Sequence, residues 1–344
     1  MMKRIFTRLN LTWQVLRTGK VQQWGQRQIP AITTEEVTEV KEFFPMEKYF
    51  IFGHARSGTT LLMRLVRLHP EVHCNYQGHF FTRPPLLSGI LAGGEFEEWF
   101  TRRSNRWNRG KDLSPIALRA MADFIMERDA RREGKIIVGD KSPNVILNGK
   151  AVREMYTFYP DARLIYIVRD GRDTLISHLF QNFINAAQFL PKNQLALRDE
   201  FTQNPEPFMN GQKSIFTEAT IRRMASGWVK NVQETDSIGR EIYQDRYHVL
   251  RYEEMLRTPH ETMQQIWAFL GATPKDLTKE VAEEMTQNPD AAYQKEVASD
   301  LVKNLDKGKR GSWRDLFTER DKRIFKEIAG ETLIAWGYEK DMEW

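Results

Sequence analysis

Tyr49-Phe50-Ile51-Phe52, Gly53-His54-Ala55-Arg56-Ser57-Gly58 and Thr59-Thr60-Leu61-Leu62-Met63-Arg64 follow one another without a break. They read as a short buried strand, a loop bounded by two glycines, and a helix that runs to about Leu68 before Pro70 stops it. A loop of this kind aims backbone N–H groups at an anion, and the helix dipole adds partial positive charge. Thr59 and Thr60 bring hydroxyls, and Arg56 is a permanent cation inside the loop. Gly53 and Gly58 have the spacing of the nucleoside-triphosphate pattern G-x-x-x-x-G-K-[ST], but Thr59 stands where that pattern has its lysine. The loop therefore suits a single phosphate at the 5′ end of a nucleotide better than a triphosphate with magnesium. A P-loop nucleotide kinase or NTPase remains the alternative.

Working outward, apolar strand-like runs alternate with helical ones. Val72–Cys74, Lys135–Val138, Arg163–Val168 and Tyr247–Arg251 read as strands. Helices are expected from Ser114-Pro115, from Ser142-Pro143, from about Asp173, from the capping-box spacing Thr258-Pro259-His260-Glu261, and from Thr318 to about Trp336. Residues 185–214, with Pro191, Pro205, Pro207 and Gly211, read as irregular. The pattern implies an α/β fold, a P-loop-like sandwich whose central, mainly parallel sheet carries helices on both faces. Ligands of such sheets bind at the carboxyl ends of the strands.

Arg169 ends the clearest strand, and Ser177 follows eight residues later. A guanidinium and a hydroxyl converging there can hold a phosphate. Taken alone, Arg169-Asp170-Gly171-Arg172-Asp173 reads as a solvated turn. Together with the first loop it reads differently. Arg56-Ser57-Gly58-Thr59-Thr60, continued through His69-Pro70-Glu71-Val72, resembles the 5′-phosphosulfate loop of sulfotransferases that use 3′-phosphoadenosine 5′-phosphosulfate (PAPS). It is most similar to the arginine-loop branch, which includes the tyrosylprotein sulfotransferases and bacterial sulfotransferases. The resemblance implies that Arg169 and Ser177 hold the 3′-phosphate of PAPS, that Tyr252 lies near the adenine, and that Lys307 and Gly308 belong to a late loop over the 3′-phosphate. Asp306 and Ser312 depart from the cytosolic form of that loop.

For transfer of a sulfuryl group to a hydroxyl or amine, Arg56 and the Gly58–Thr60 amides would stabilise the leaving phosphate. Lys141, just past the third strand, would neutralise the bridging oxygen. The arginine-loop relatives have a glutamate shortly after the second strand; Cys74-Asn75-Tyr76-Gln77-Gly78-His79 has no carboxylate. His79 is the natural substitute as base, with a pKa of about 6.5 when unperturbed. Asp140 is the second candidate, and His54 and His73 are near in sequence. Loss of the glutamate leaves room for a non-catalytic, PAPS-binding relative. The sulfate of the donor carries less charge than a terminal phosphate, so no metal is expected.

The 344 residues include 51 basic and 46 acidic ones, a net charge of +5 that names no partner. No basic strand interleaved with aromatics points to nucleic acid. The one cysteine, Cys74, excludes an internal disulfide and fits a cytoplasmic location. Residues 1–34 lack Asp and Glu but carry Lys3, Arg4, Arg8, Arg17, Lys20 and Arg27, with Ile5, Phe6, Leu9, Trp13 and Leu16 at helical spacing. Residues 1–45 are thus a basic amphipathic N-terminal segment, which either packs on the domain, touches a membrane surface through residues 1–30, or serves as a transit peptide. Residues 46–344 are expected to form one sulfotransferase domain, with acceptor-site insertions at about 81–134 and 181–245. The acceptor is not legible.

Overall fold

A computed structural model describes Thr12, Trp13, Leu16 and residues 28–91, 99–102, 108–287, 289, 292, 295–296, 298–302 and 311–344. Apart from three residues, the basic N-terminal segment up to residue 27 lies outside the described residues. So do Lys307 and Gly308.

The principal elements are α1 (Thr34–Phe43), β1 (Glu47–Gly53), α2 (Thr59–Val66), β2 (Val72–Tyr76), α3 (Ser114–Arg132), β3 (Ile137–Lys141), α4 (Lys150–Phe158), β4 (Arg163–Val168), α5 (Gly171–Asn185), α6 (Lys192–Gln203), α7 (Glu218–Tyr243), β5 (Tyr247–Arg251), α8 (Tyr252–Arg257), α9 (Pro259–Leu270), α10 (Thr278–Thr286) and α11 (Glu319–Ala335). All five strands are parallel, in the order β2-β3-β1-β4-β5.

Alternate residues of the central strands feed two cores, as the two-residue period of a strand requires. Phe50, Phe52, Leu164, Tyr166 and Val168 pack on one face with α3, α4, α5, α7 and α11. Tyr49, Ile51, Ile165 and Ile167 pack on the other with α2 and α9. Burial on both faces explains why β1 and β4 read as unbroken apolar runs.

Several boundaries differ from expectation, each for a local reason. No helix starts at Ser142-Pro143. The chain stays extended beyond β3 because the Ser142 and Asn144 N–H groups donate to the Ile51 and Gly53 carbonyls, at 3.1 and 2.8 Å, and Pro143 takes the position between them. β3 begins later than expected, at Ile137, so Asp140 and Lys141 lie within the strand rather than past it. The prolines of the 185–214 stretch bracket α6 instead of interrupting it. The capping box expected at Thr258 is absent, because its hydroxyl donates back to the Glu254 carbonyl of α8 at 3.3 Å. Thr318 does start a helix, and there a capping box forms with Asp321 as its partner. Within the stretches expected to frame an acceptor, α3 and α7 are scaffold: Leu118, Ala122, Met126, Trp228 and Val232 are core residues.

The β1 chain leads to β2 on one side of the sheet, and β4 leads to β5 on the other. The carboxyl ends of β1 and β4 therefore flank the switch point where open α/β sheets take ligands.

Candidate active site

The loop after β1 is a tight cradle. The Ser57 N–H donates to the His54 carbonyl at 3.0 Å, and Arg56 takes a left-handed φ of 75°. Gly58 caps α2 at φ 91°. A Cβ there would lie 2.3 Å from the Tyr252 ring, so only glycine fits. Behind it, the first N–H groups of α2 have no acceptor within the helix. Ser57 is fully buried, and its Oγ has no hydrogen-bond partner.

The carboxyl end of β4 meets this cradle directly. Arg169 Nη1 donates to the Arg56 carbonyl at 3.3 Å, and Arg56 Nε donates to Ser177 Oγ of α5 at 3.2 Å. The Arg169 guanidinium lies 4.8 Å from the centre of the Tyr252 ring. Arg169 is 8% exposed, and its Nε is buried without a partner. Ser57 Oγ and Arg169 Nε are thus two buried polar atoms without partners near the exits of β1 and β4, a costly arrangement by itself.

The Arg169–Asp173 run is not the solvated turn expected from its charge. Asp170 caps α5 and pairs with Arg172. Arg172 is buried against Glu339 and the rings of Trp313 and Trp344. Asp173 accepts from the Gly311 and Trp313 N–H groups at 2.7 and 3.2 Å. Burial raises its pKa, against the pull of nearby Arg169. The C-terminal run thereby returns to the 3′-phosphate candidates, although Lys307 and Gly308 themselves lie outside the described residues.

On the other side of β1, Lys141 is fully buried and donates from Nζ to Thr60 Oγ1 at 3.2 Å. Its Nζ lies 3.7 Å from the centre of the Tyr76 ring. Asp140 is 1% exposed; Oδ1 accepts from the Gly78 N–H at 2.7 Å, and Oδ2 accepts from Ser142 Oγ at 2.5 Å. Burial raises Asp140 to about 6, partly offset by those two hydrogen bonds and by Lys141. The His79 N–H donates to Ser142 Oγ at 2.9 Å, and its Nδ1 lies 2.9 Å from Thr82 Oγ1. Burial, then Arg83 and Lys141, hold the His79 imidazole below its usual pKa.

The contacts run unbroken from Lys141 to Thr60, and from Gly58 through Tyr252, Arg169 and Arg56 to Ser177. Thr59 instead packs its methyl against Gly53. His73 is turned away to Glu133 and Asn75. His54 sits at the cleft, its ring 5.9 Å from that of His178. His178 is held down to about 4 by burial, His54, Arg56 and Arg223. Sequence reading did not single out His178, Tyr76 or Asp173. Only the neighbourhood of His178 to Ser177 and of Tyr76 to the strand end signals them.

A family model described as the sulfotransferase family matches residues 49–276. The chain belongs to the sulfotransferase family. The matched span contains every described cleft residue from Arg56 to Tyr252. A protein-tyrosine sulfotransferase of Drosophila melanogaster is 24% identical over 67% of this chain and 39% of its own length. Protein-tyrosine sulfotransferase 2 of Gallus gallus is 23% identical over 78% of this chain and 64% of its own. A crystal structure of a mouse sulfotransferase complexed with PAP covers 88% of this chain and 90% of that one, at 16% identity and a TM-score of 0.45. The chain spans less than two thirds of the length of the two protein-tyrosine sulfotransferases.

Proposed function

We propose that this chain transfers a sulfuryl group from PAPS to a hydroxyl or amine of an acceptor by in-line displacement. The observation that carries the reading is the contact between the two anion cradles. PAP, adenosine 3′,5′-bisphosphate, hangs both phosphates on one ribose, and Arg56 of one cradle touches Ser177 of the other. The residues fit such a ligand: Ser57 Oγ and Arg169 Nε are buried, polar and unpartnered there. Family membership supports the same reading.

PAPS supplies the sulfuryl group; the chain supplies positioning and charge. Arg169 and Ser177 hold the 3′-phosphate, and Tyr252 bounds the cleft beside them. Arg56, Ser57 and the N–H groups of Gly58, Thr59 and Thr60 receive the charge that develops on the 5′-phosphate. Lys141, fixed on Thr60, places an ammonium at the bridging oxygen. His79 takes the acceptor proton in the tautomer whose Nδ1 donates to Thr82, which leaves the lone pair on Nε2. Asp140, 1% exposed and accepting from Gly78 and Ser142, shapes the turn that carries His79.

Calorimetry with PAP against ATP plus magnesium tests the reading. PAP is expected to bind and ATP–magnesium to bind weakly. Arg56→Ala and Arg169→Ala should each weaken PAP by roughly tenfold or more, the worth of a charge-assisted hydrogen bond. His79→Ala should spare PAP binding and slow turnover of PAPS. A preference for ATP–magnesium would sink the proposal in favour of an NTPase. Tight PAP binding with no PAPS turnover under any acceptor would make the chain a non-catalytic relative.

A further inference from the structure

Tyr76 is the last residue of β2 and pairs in register with Lys141, the last residue of β3. One of the pair is fully buried and the other is 58% exposed. The buried Lys141 ammonium is sandwiched: the Tyr76 ring centre is 3.7 Å from Nζ, and Thr60 Oγ1, at the start of the phosphate-loop helix, is 3.2 Å away. The chain beyond Tyr76 is pinned at successive residues. The Gln77 N–H donates to the Lys141 carbonyl at 2.8 Å, Gly78 to Asp140 and His79 to Ser142. Gln77 and His79 both sit in left-handed backbone, at φ 57° and 52°, a cost tolerated only where surroundings dictate it.

We infer that Tyr76 is a positioning residue for the transfer: its ring face holds the Lys141 ammonium onto Thr60 and so onto the bridging oxygen of the donor. This inference rests on the donor reading given above. A carboxylate in this position would neutralise the ammonium by pairing with it. An aromatic face attracts the cation through its quadrupole without adding a neutralising charge of its own. The β2 exit thus supplies orientation where it lacks a base, and the base falls to His79 on the same pinned turn.

The test needs no acceptor. Purified protein is given PAPS, its slow conversion to PAP by water is followed chromatographically, and PAP affinity is measured separately. Tyr76→Leu is expected to slow the conversion about tenfold, between the exposed and the desolvated values of a cation–π contact, with PAP affinity changed less than about twofold. Tyr76→Phe, which keeps the ring, should recover most of that loss. On a Lys141→Met background, Tyr76→Leu should add nothing, because the ring acts through the ammonium. Equal losses with and without Lys141 would overturn the inference, as would Tyr76→Phe behaving like Tyr76→Leu. Tyr76→Ser, tolerable at so exposed a site, serves as a second removal of the ring. Wild-type protein that fails to bind PAP overturns the donor reading and this inference together. Normal PAP binding with an unchanged rate in Tyr76→Leu and Tyr76→Ser overturns this inference alone.

Discussion

Asp140 illustrates how little a side chain's identity says about its role until its partners are known. Its sequence position beside Lys141 makes it a candidate base; in the structure it also holds the Gly78 N–H and the Ser142 hydroxyl. Burial lifts it to about 6, so the folded chain keeps a proton that the unfolded chain releases near pH 4. The stability this lends is fully present below the unfolded pKa and is lost as pH rises through about 6, on the order of 3 kcal/mol. Asp140→Asn removes the titration. The variant's melting temperature relative to wild type should therefore climb between pH 4 and pH 7, read from thermal melts across that range. A difference that stays flat would mean the carboxylate is not buried as described. Arg56, Arg169 and Ser177 were legible in the sequence because strand, loop and spacing are local signals. The burial of Arg172 and Asp173 was not legible. Their partners, Glu339, Trp344 and Gly311, come from far along the chain, and a charge run viewed alone looks solvated.

At the scale of elements, the start of α5 is tied to the C-terminal region by Arg172, on Glu339, Trp313 and Trp344, and by the Asp173 carboxylate. Asp173 accepts two backbone N–H groups, from Gly311 and Trp313, and it sits close enough to Arg169 to feel its charge. An amide in its place offers one acceptor oxygen and turns an NH2 group toward the second donor. Leaving that donor unsatisfied in a buried site costs about 1–3 kcal/mol. Asp173→Asn should speed hydrogen exchange across residues 311–316 by about tenfold while β4 keeps its protection, and it should weaken PAP several-fold. Equal acceleration in β4 would show a global loss of stability instead of a severed tie. Strands were the most readable elements: burial on both faces writes β4 as an apolar run, and β4 and the mostly half-buried β5 both match expectation residue for residue. Proline misled twice, and for one reason. At Pro143 it occupies a position in an extended segment that makes no ladder bond, and around α6 it stands at the ends, so the same residue type marked no helix in one place and a helix in the other.

Across the whole molecule, the candidate site and the anchorage lie at opposite ends of the sheet. Strand order is not written in any single segment; β2 and β3 are laid down at one edge of β1, and the β3–α4–β4 connection then crosses β1 to the other, which brings the exits of β1, β3 and β4 together. The other end is closed by a buried ionic cluster. Lys48 Nζ lies 2.7 Å from Glu127 Oε1 and 3.7 Å from Asp123 Oδ1, and it also donates to the Phe44 and Met46 carbonyls. Arg119 joins Asp123 to Asp161, and the Tyr159 hydroxyl donates to Asp123. This network fastens α1, the start of β1 and α3 to one another, but it touches none of the cleft residues. Removing one partner of a buried cluster strands the rest, at a cost of about 3–5 kcal/mol. Lys48→Met should therefore lower the melting temperature by several degrees, yet at low temperature, where the variant is folded, calorimetry should return a PAP affinity within about twofold of wild type. The pairing of Lys48→Met with Glu127→Gln should recover part of the loss, because the uncompensated carboxylate is then gone. If Lys48→Met weakened PAP as strongly as Arg169→Ala, the sheet would be transmitting strain from its base to its ligand-binding edge, and the separation of anchorage from chemistry would fail.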